Sequence, residues 1–220
     1  MRNIKIGLVA IAAVVAGCGG HYTVTRVVDG RVYEGRFIEP DAYSSYLRGA
    51  IAEGRGEYRT ALAEYENAAK LDDEDPEIWT RIADVRCKMN PRDIEAQYAV
   101  TRALLRDEEY GPAWVVRVSC EIARGVDRVQ IEQAAMRGAE VDPRSTKSQV
   151  LLARVEDSRS AAEARNRLIA LTVAAGDDAE AWLALASWAE SHGDADLETS
   201  SFSRVAELAP TKWRDRKSVV

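Results

Sequence analysis

The tryptophans and glycines of this chain recur at a fixed interval. Trp79, Trp114 and Trp182 are separated by 35 and 68 residues, and Gly56, Gly125 and Gly193 by 69 and 68. These are one and two periods of about 34 residues. A period of that length holds one supersecondary unit. Such a unit cannot close a core alone and buries its apolar face only against its neighbours. The chain is therefore constrained to a stacked array.

The units read as helix pairs. Ala61, Ala68, Ala96, Ala103 and Ala164 are small enough to let two antiparallel helices approach closely, while Trp79, Trp114, Tyr65, Leu168 and Phe202 fill the space between them. Alanine, leucine, glutamate and arginine dominate and no glycine-serine tract interrupts the chain, which favours helix throughout. The register gives five pairs at approximately residues 42–75, 76–110, 111–144, 145–178 and 179–210. Gly54, Gly56, Asn90-Pro91, Gly125 and Gly193 fall inside pairs; Asp75-Pro76, Asp142-Pro143 and Ala209-Pro210 fall between them. The second pair inserts one residue around Asn90-Pro91. The fourth carries Ser148 where a tryptophan is expected and lacks the closing proline, yet keeps Leu151, Val155, Ala164 and Leu168 at apolar positions.

Gly56-Glu57-Tyr58, Ala61-Leu62, Tyr65, Ala68-Ala69 and Leu71-Asp72 resemble the second half of a tetratricopeptide repeat. Ala179-Glu180-Ala181-Trp182, Leu185, Ala186, Ala189, Gly193-Asp194 and Glu207-Leu208-Ala209-Pro210 resemble both of its helices. The resemblance covers residues 42–210 and implies an all-α, right-handed α-solenoid of about five helix pairs. It also implies a concave groove, lined by the first helix of each pair, that binds a protein or peptide. The matching positions are Tyr43, Tyr46, Glu53, Glu77, Asp84, Lys88, Val115, Ile122, Glu156, Asp157, Glu180, Leu183 and Glu190. Such a groove is mostly acidic with an aromatic entrance, suited to a basic or amphipathic segment. The alternative is a solvated helical face in an acidic protein.

The first residues carry a different signal. Met1-Arg2-Asn3-Ile4-Lys5 and an apolar run over residues 6–16 precede Gly17-Cys18, the layout of an export signal too short to span a bilayer, which needs about 20 apolar residues. Val15-Ala16-Gly17-Cys18 resembles the bacterial lipobox. The resemblance implies cleavage between Gly17 and Cys18, acylation of Cys18 and stable anchoring by several acyl chains. Gly19, not Asp, follows the cysteine, which favours the outer over the inner membrane. The expected organisation is a signal peptide at 1–17, a lipidated tether at 18–41, the repeat domain at 42–210 and a basic tail at 211–220 whose Trp213 can cover the last pair. Within the tether, Asp29-Gly30 between β-branched runs is a hairpin signal; an extended spacer is slightly preferred, because a lone hairpin is marginal in water.

No catalytic constellation emerges. His21 and His192 are the only histidines, and no phosphate-loop, dinucleotide or metal-spaced cysteine pattern occurs. No cofactor and no metal is expected, and the net charge of −6 disfavours nucleic acid. The run Asp72-Asp73-Glu74-Asp75 lacks the glycine and terminal glutamate of a calcium loop and reads as a turn with a helix cap. Cys87 and Cys120 fall on the first helices of neighbouring pairs; an oxidising setting permits a bridge, but two small buried thiols are preferred. The expected function is a membrane-anchored periplasmic scaffold for protein partners. Self-association through the last pair is the alternative, and an acid pair drawn from Glu53, Asp84 or Glu156 is the remote enzymatic one.

Overall fold

The computed structural model describes the backbone of β1 (Thr23–Val28) and β2 (Arg31–Arg36) and all of residues 39–210. The expected export segment with Gly17 and Cys18, and the tail with Trp213, fall outside the described residues. The chain divides into two units, Met1–Ile38 and Glu39–Val220. In the first, β1 and β2 pair antiparallel with Val28 opposite Arg31. The hairpin reading therefore replaces the preferred extended spacer.

The second unit is an all-α solenoid of five helix pairs: α1 (Pro40–Gly54) with α2 (Tyr58–Leu71), α3 (Pro76–Met89) with α4 (Ile94–Arg106), α5 (Gly111–Arg124) with α6 (Arg128–Val141), α7 (Thr146–Asp157) with α8 (Ala161–Ala174), and α9 (Ala179–His192) with α10 (Ala195–Leu208). Local chemistry sets the boundaries. Asp75, Asp93, Asp127 and Asp178 each accept a hydrogen bond from the backbone N–H two residues on, at 2.8 to 3.2 Å, satisfying a donor that the first helical turn leaves unpaired. Gly56, Gly125 and Gly193 turn the chain inside three pairs at φ 75°, 68° and 71°, a left-handed conformation that costs glycine nothing.

The alanines do what their spacing predicts. Ala61, Ala68, Ala103 and Ala164 are fully buried, and Gly49 lets the Tyr65 ring lie across α1, where an added Cβ would stand 2.7 Å from the ring. Each pair packs on the next, and the first helices α3, α5, α7 and α9 also lie side by side. One of these joints is covalent. Cys87 on α3 and Cys120 on α5 form a disulfide across a Cα separation of 5.8 Å, in place of the two free buried thiols expected. The cysteines are 33 residues apart, about one repeat, so they occupy the same face of adjacent first helices.

The fourth pair is regular, but its register differs from expectation by one residue. Trp79, Trp114 and Trp182 each donate Nε1–H to the carbonyl six residues earlier, on Asp73, Glu108 and Gly176, at 2.8, 2.8 and 2.9 Å. Gln149 makes the same bond to the Pro143 carbonyl at 3.3 Å. Gln149, not Ser148, thus stands at the tryptophan position. Ser148 points into the interior and is 3% exposed.

Candidate binding groove

The face lined by the first helices differs from one end to the other. At the first two pairs its side chains bind one another. Glu77 on α3 accepts from Tyr46 of α1 at 2.7 Å, from Arg81 at 2.7 Å and from Tyr110, the residue that precedes α5. Glu53 on α1 accepts from Tyr65 and from Lys88 at 2.8 Å each, with Arg81 4.0 Å away. Lys88 also meets Asp84 at 2.8 Å. Three expected groove carboxylates are therefore neutralised within the chain by Arg81 and Lys88.

The electrostatics follow from this arrangement. Burial pushes the Tyr46 phenol up to about 12, and the Glu77 carboxylate adds to the effect. Burial and an adjacent carboxylate likewise raise Tyr65, beside Glu53, and Tyr110, beside Glu77. Burial alone would raise Glu53, but hydrogen bonds from Lys88 and Tyr65, with the charges of Lys88 and Arg81, hold it below the ordinary carboxylate range. Burial opposes the charge on Lys88, and Asp84 and Glu53 overcome it. The carboxylates, cations and phenols together form a cross-link between helices.

The far end is open. A cleft of about 480 Å³ lies between α7 and α9, lined by Val150, Arg154, Asp157, Leu183, Ala184 and Trp188, with Glu180 at its rim. Asp157 accepts from Trp188 Nε1 at 2.8 Å and faces His192 Nε2 at 3.2 Å, and the His192 ring stacks on Trp188 with centroids 4.2 Å apart. The trio holds the indole as a fixed wall. Arg154 and Glu180 are exposed and have no ion-pair partner among the described residues.

The structure therefore sorts the expected groove positions. Glu180, Leu183 and Asp157 come together at the cleft. Tyr43 and Glu190 are exposed, and Val115 and Ile122 are half-buried on α5. Tyr46, Glu53, Glu77, Asp84 and Lys88 belong to the internal network. Glu156 does not face the groove: it is buried between α7 and α8, where Arg167 grips both its oxygens at 2.7 Å. One step along a helix rotates a side chain by about a quarter turn, which separates Glu156 from Asp157. The acid pair drawn from Glu53, Asp84 or Glu156 does not form, because each is matched to a cation.

Sequence reasoning did not single out Arg81, Arg154, Trp188 or Tyr110. Arg81 stands four residues after Glu77, a spacing that pairs opposite charges on a helix and could have revealed it. Nothing local marks Trp188, whose partner Asp157 lies 31 residues away. His192 ends α9 and also joins this trio.

No protein-family model and no curated protein sequence matches this chain. Its structure is similar to a tetratricopeptide-repeat protein, TTC0263 of Thermus thermophilus, with a TM-score of 0.71 and 20% identity, covering 80% of this chain and 96% of that one. It is also similar to PilF of Pseudomonas aeruginosa, at 0.62 and 13% over 77% of each chain, and to yeast Tom70, at 0.64 and 16% over 81% of this chain and 38% of that one. The fold is that of a tetratricopeptide-repeat solenoid.

Proposed function

We propose that this chain is a membrane-anchored periplasmic lipoprotein that acts as a non-catalytic scaffold for protein partners in the cell envelope, with the outer membrane favoured. The observation that carries the scaffold reading is the contrast along the groove: self-paired at the first two pairs, open at α7 and α9. A partner segment would lay an apolar side chain on Leu183, Ala184 and Trp188 and set a basic group against Glu180, as a basic or amphipathic segment can. The lipobox-like Val15-Ala16-Gly17-Cys18 supports anchoring through Cys18. The Cys87–Cys120 disulfide supports an oxidising compartment.

The test is a pull-down from detergent-solubilised envelopes with three versions of the chain: unaltered, Leu183→Lys with Glu180→Lys, and Glu77→Lys. A specific partner lost only when the α7–α9 cleft is altered supports the reading. Recovery of the same partner by all three versions, or of none by any, overturns it. Incorporation of labelled palmitate, abolished by Cys18→Ala, tests the anchor separately.

A further inference from the structure

The repeats contain a gap that their own pattern defines. In the second pair, Trp79 is packed by the ring of Tyr98, with centroids 6.5 Å apart, and by Arg102, whose guanidinium lies 4.6 Å from the indole centroid. Arg102 and Arg106 both reach Asp73 at 3.2 Å. The third pair repeats the theme with Trp114, Arg137 bound to Glu108 at 3.4 Å, and Arg117 at 5.2 Å from the indole centroid. In the fourth pair, helix register places Gln149, Asn166, Ala170 and Ala174 where the second has Trp79, Tyr98, Arg102 and Arg106. Four large side chains are replaced by smaller ones. The place holds an open cleft of about 570 Å³ lined by Pro143, Gln149, Glu156, Arg167, Ala170 and Leu171. The space beside Trp79, which α2 helps to line through Glu66 and Lys70, is about 310 Å³.

We propose that this cleft is a receptor for a tryptophan side chain carried by a partner protein. The occupant is argued from the chain itself, since three of the five pairs seat an indole at this position and anchor its N–H on the same backbone carbonyl. In the fourth, the Pro143 carbonyl accepts from Gln149 at 3.3 Å, a longer bond that an incoming indole N–H can replace while Gln149 Oε1 keeps its bond from Arg167 at 3.0 Å. The Arg167 guanidinium is held flat by both oxygens of Glu156 and supplies a cationic face for an aromatic ring, as Arg102 does for Trp79. Leu171 and the stems of Gln149 and Arg167 supply the apolar contact. This cleft lies between α7, α8 and the turn before α7, apart from the groove of the first helices, and does not depend on that groove's having a partner.

The full chain is titrated with N-acetyltryptophanamide and, in parallel, N-acetylleucinamide, while the Gln149 side-chain amide and the Arg167 Nε–H are followed by NMR. The tryptophan compound is expected to give saturable shifts at both groups and the leucine compound none. Gln149→Trp, which supplies the missing indole internally, and Ala170→Trp, which fills the cleft from an exposed position, should each weaken binding by roughly tenfold or more with unchanged helical circular dichroism. Absence of saturable shifts, equal response to the leucine compound, or undiminished binding in both variants overturns the proposal. A two-chain solution mass that falls to one chain in both Gln149→Trp and Trp213→Ala would make the occupant a second copy's tail and overturn the assignment to a different protein.

Discussion

The second and fourth helix pairs share one backbone plan and differ in what fills it. Around Trp79 the second pair places a tyrosine and two arginines tied to Asp73; around Gln149 the fourth places Asn166, Ala170 and Ala174 beside an open cleft. The groove face divides in the same direction. Tyr46, Glu53, Glu77, Arg81 and Lys88 satisfy one another near α1 and α3, whereas Arg154 and Glu180 near α7 and α9 have no ion-pair partner among the described residues. A repeat array can thus spend some units on rigidity and leave others open for recognition without changing the fold, because each unit contacts only its neighbours.

The largest effect that could break this comparison lies at the tryptophan position. Trp79→Ala removes an aromatic ring and its arginine contacts and should cost about 3 kcal/mol, while Gln149→Ala should cost less than about 1 kcal/mol. Urea unfolding would compare them, and equal losses would show that the two pairs are equally filled. Next comes the disulfide. Replacing Cys87 and Cys120 by serine should cost about 2 to 4 kcal/mol, with hydrogen exchange rising first along α3 and α5. A change spread evenly to α9 would mean that the array does not unfold by neighbouring units.

A smaller gain is expected from repairing the fourth pair. Gln149→Trp combined with Ala170→Arg supplies the missing indole and an arginine over it, and should raise stability by about 1 kcal/mol, read as a higher melting temperature. The smallest effect is the pH dependence of the network at the first two pairs. Glu53 is depressed from its ordinary value of 4.5, so its contribution is present above that pH and is lost as the pH falls through the folded value. Glu53→Gln should flatten the acid limb of the stability curve. At the alkaline end, Tyr46 is raised from 10.0 to about 12. Its contribution is present below 10 and is lost as the pH rises through about 12, so Tyr46→Phe should reduce that loss.

The periodic features were legible and the partnerships were not. The helix pairs, their glycine turns and the buried alanines follow from spacing. The Asp75 cap on α3 was read correctly as part of a turn, with Asp73 holding Arg102 and Arg106. The one-residue misplacement of the tryptophan site on Ser148 arose because glutamine carries no aromatic signal; only its hydrogen bond to Pro143 reveals the position. All thirteen expected groove positions lie on first helices, but five of them are bound within one network and Glu156 faces Arg167. Alternation of charge along a helix does not say which charges are already matched.

The sequence by itself determined the architecture, because a recurring pattern of small, aromatic and turn residues is a local code: it fixes where helices start and end and which stripe must be buried. Only the tertiary structure decided which surfaces remain available. Tyr46 meets Glu77, Lys88 meets Glu53, Cys87 meets Cys120 and Trp188 meets Asp157 across 31 to 35 residues of chain. Such contacts depend on the rotation of each helix against the next, an angle that the packing of whole side chains sets and that no single repeat encodes.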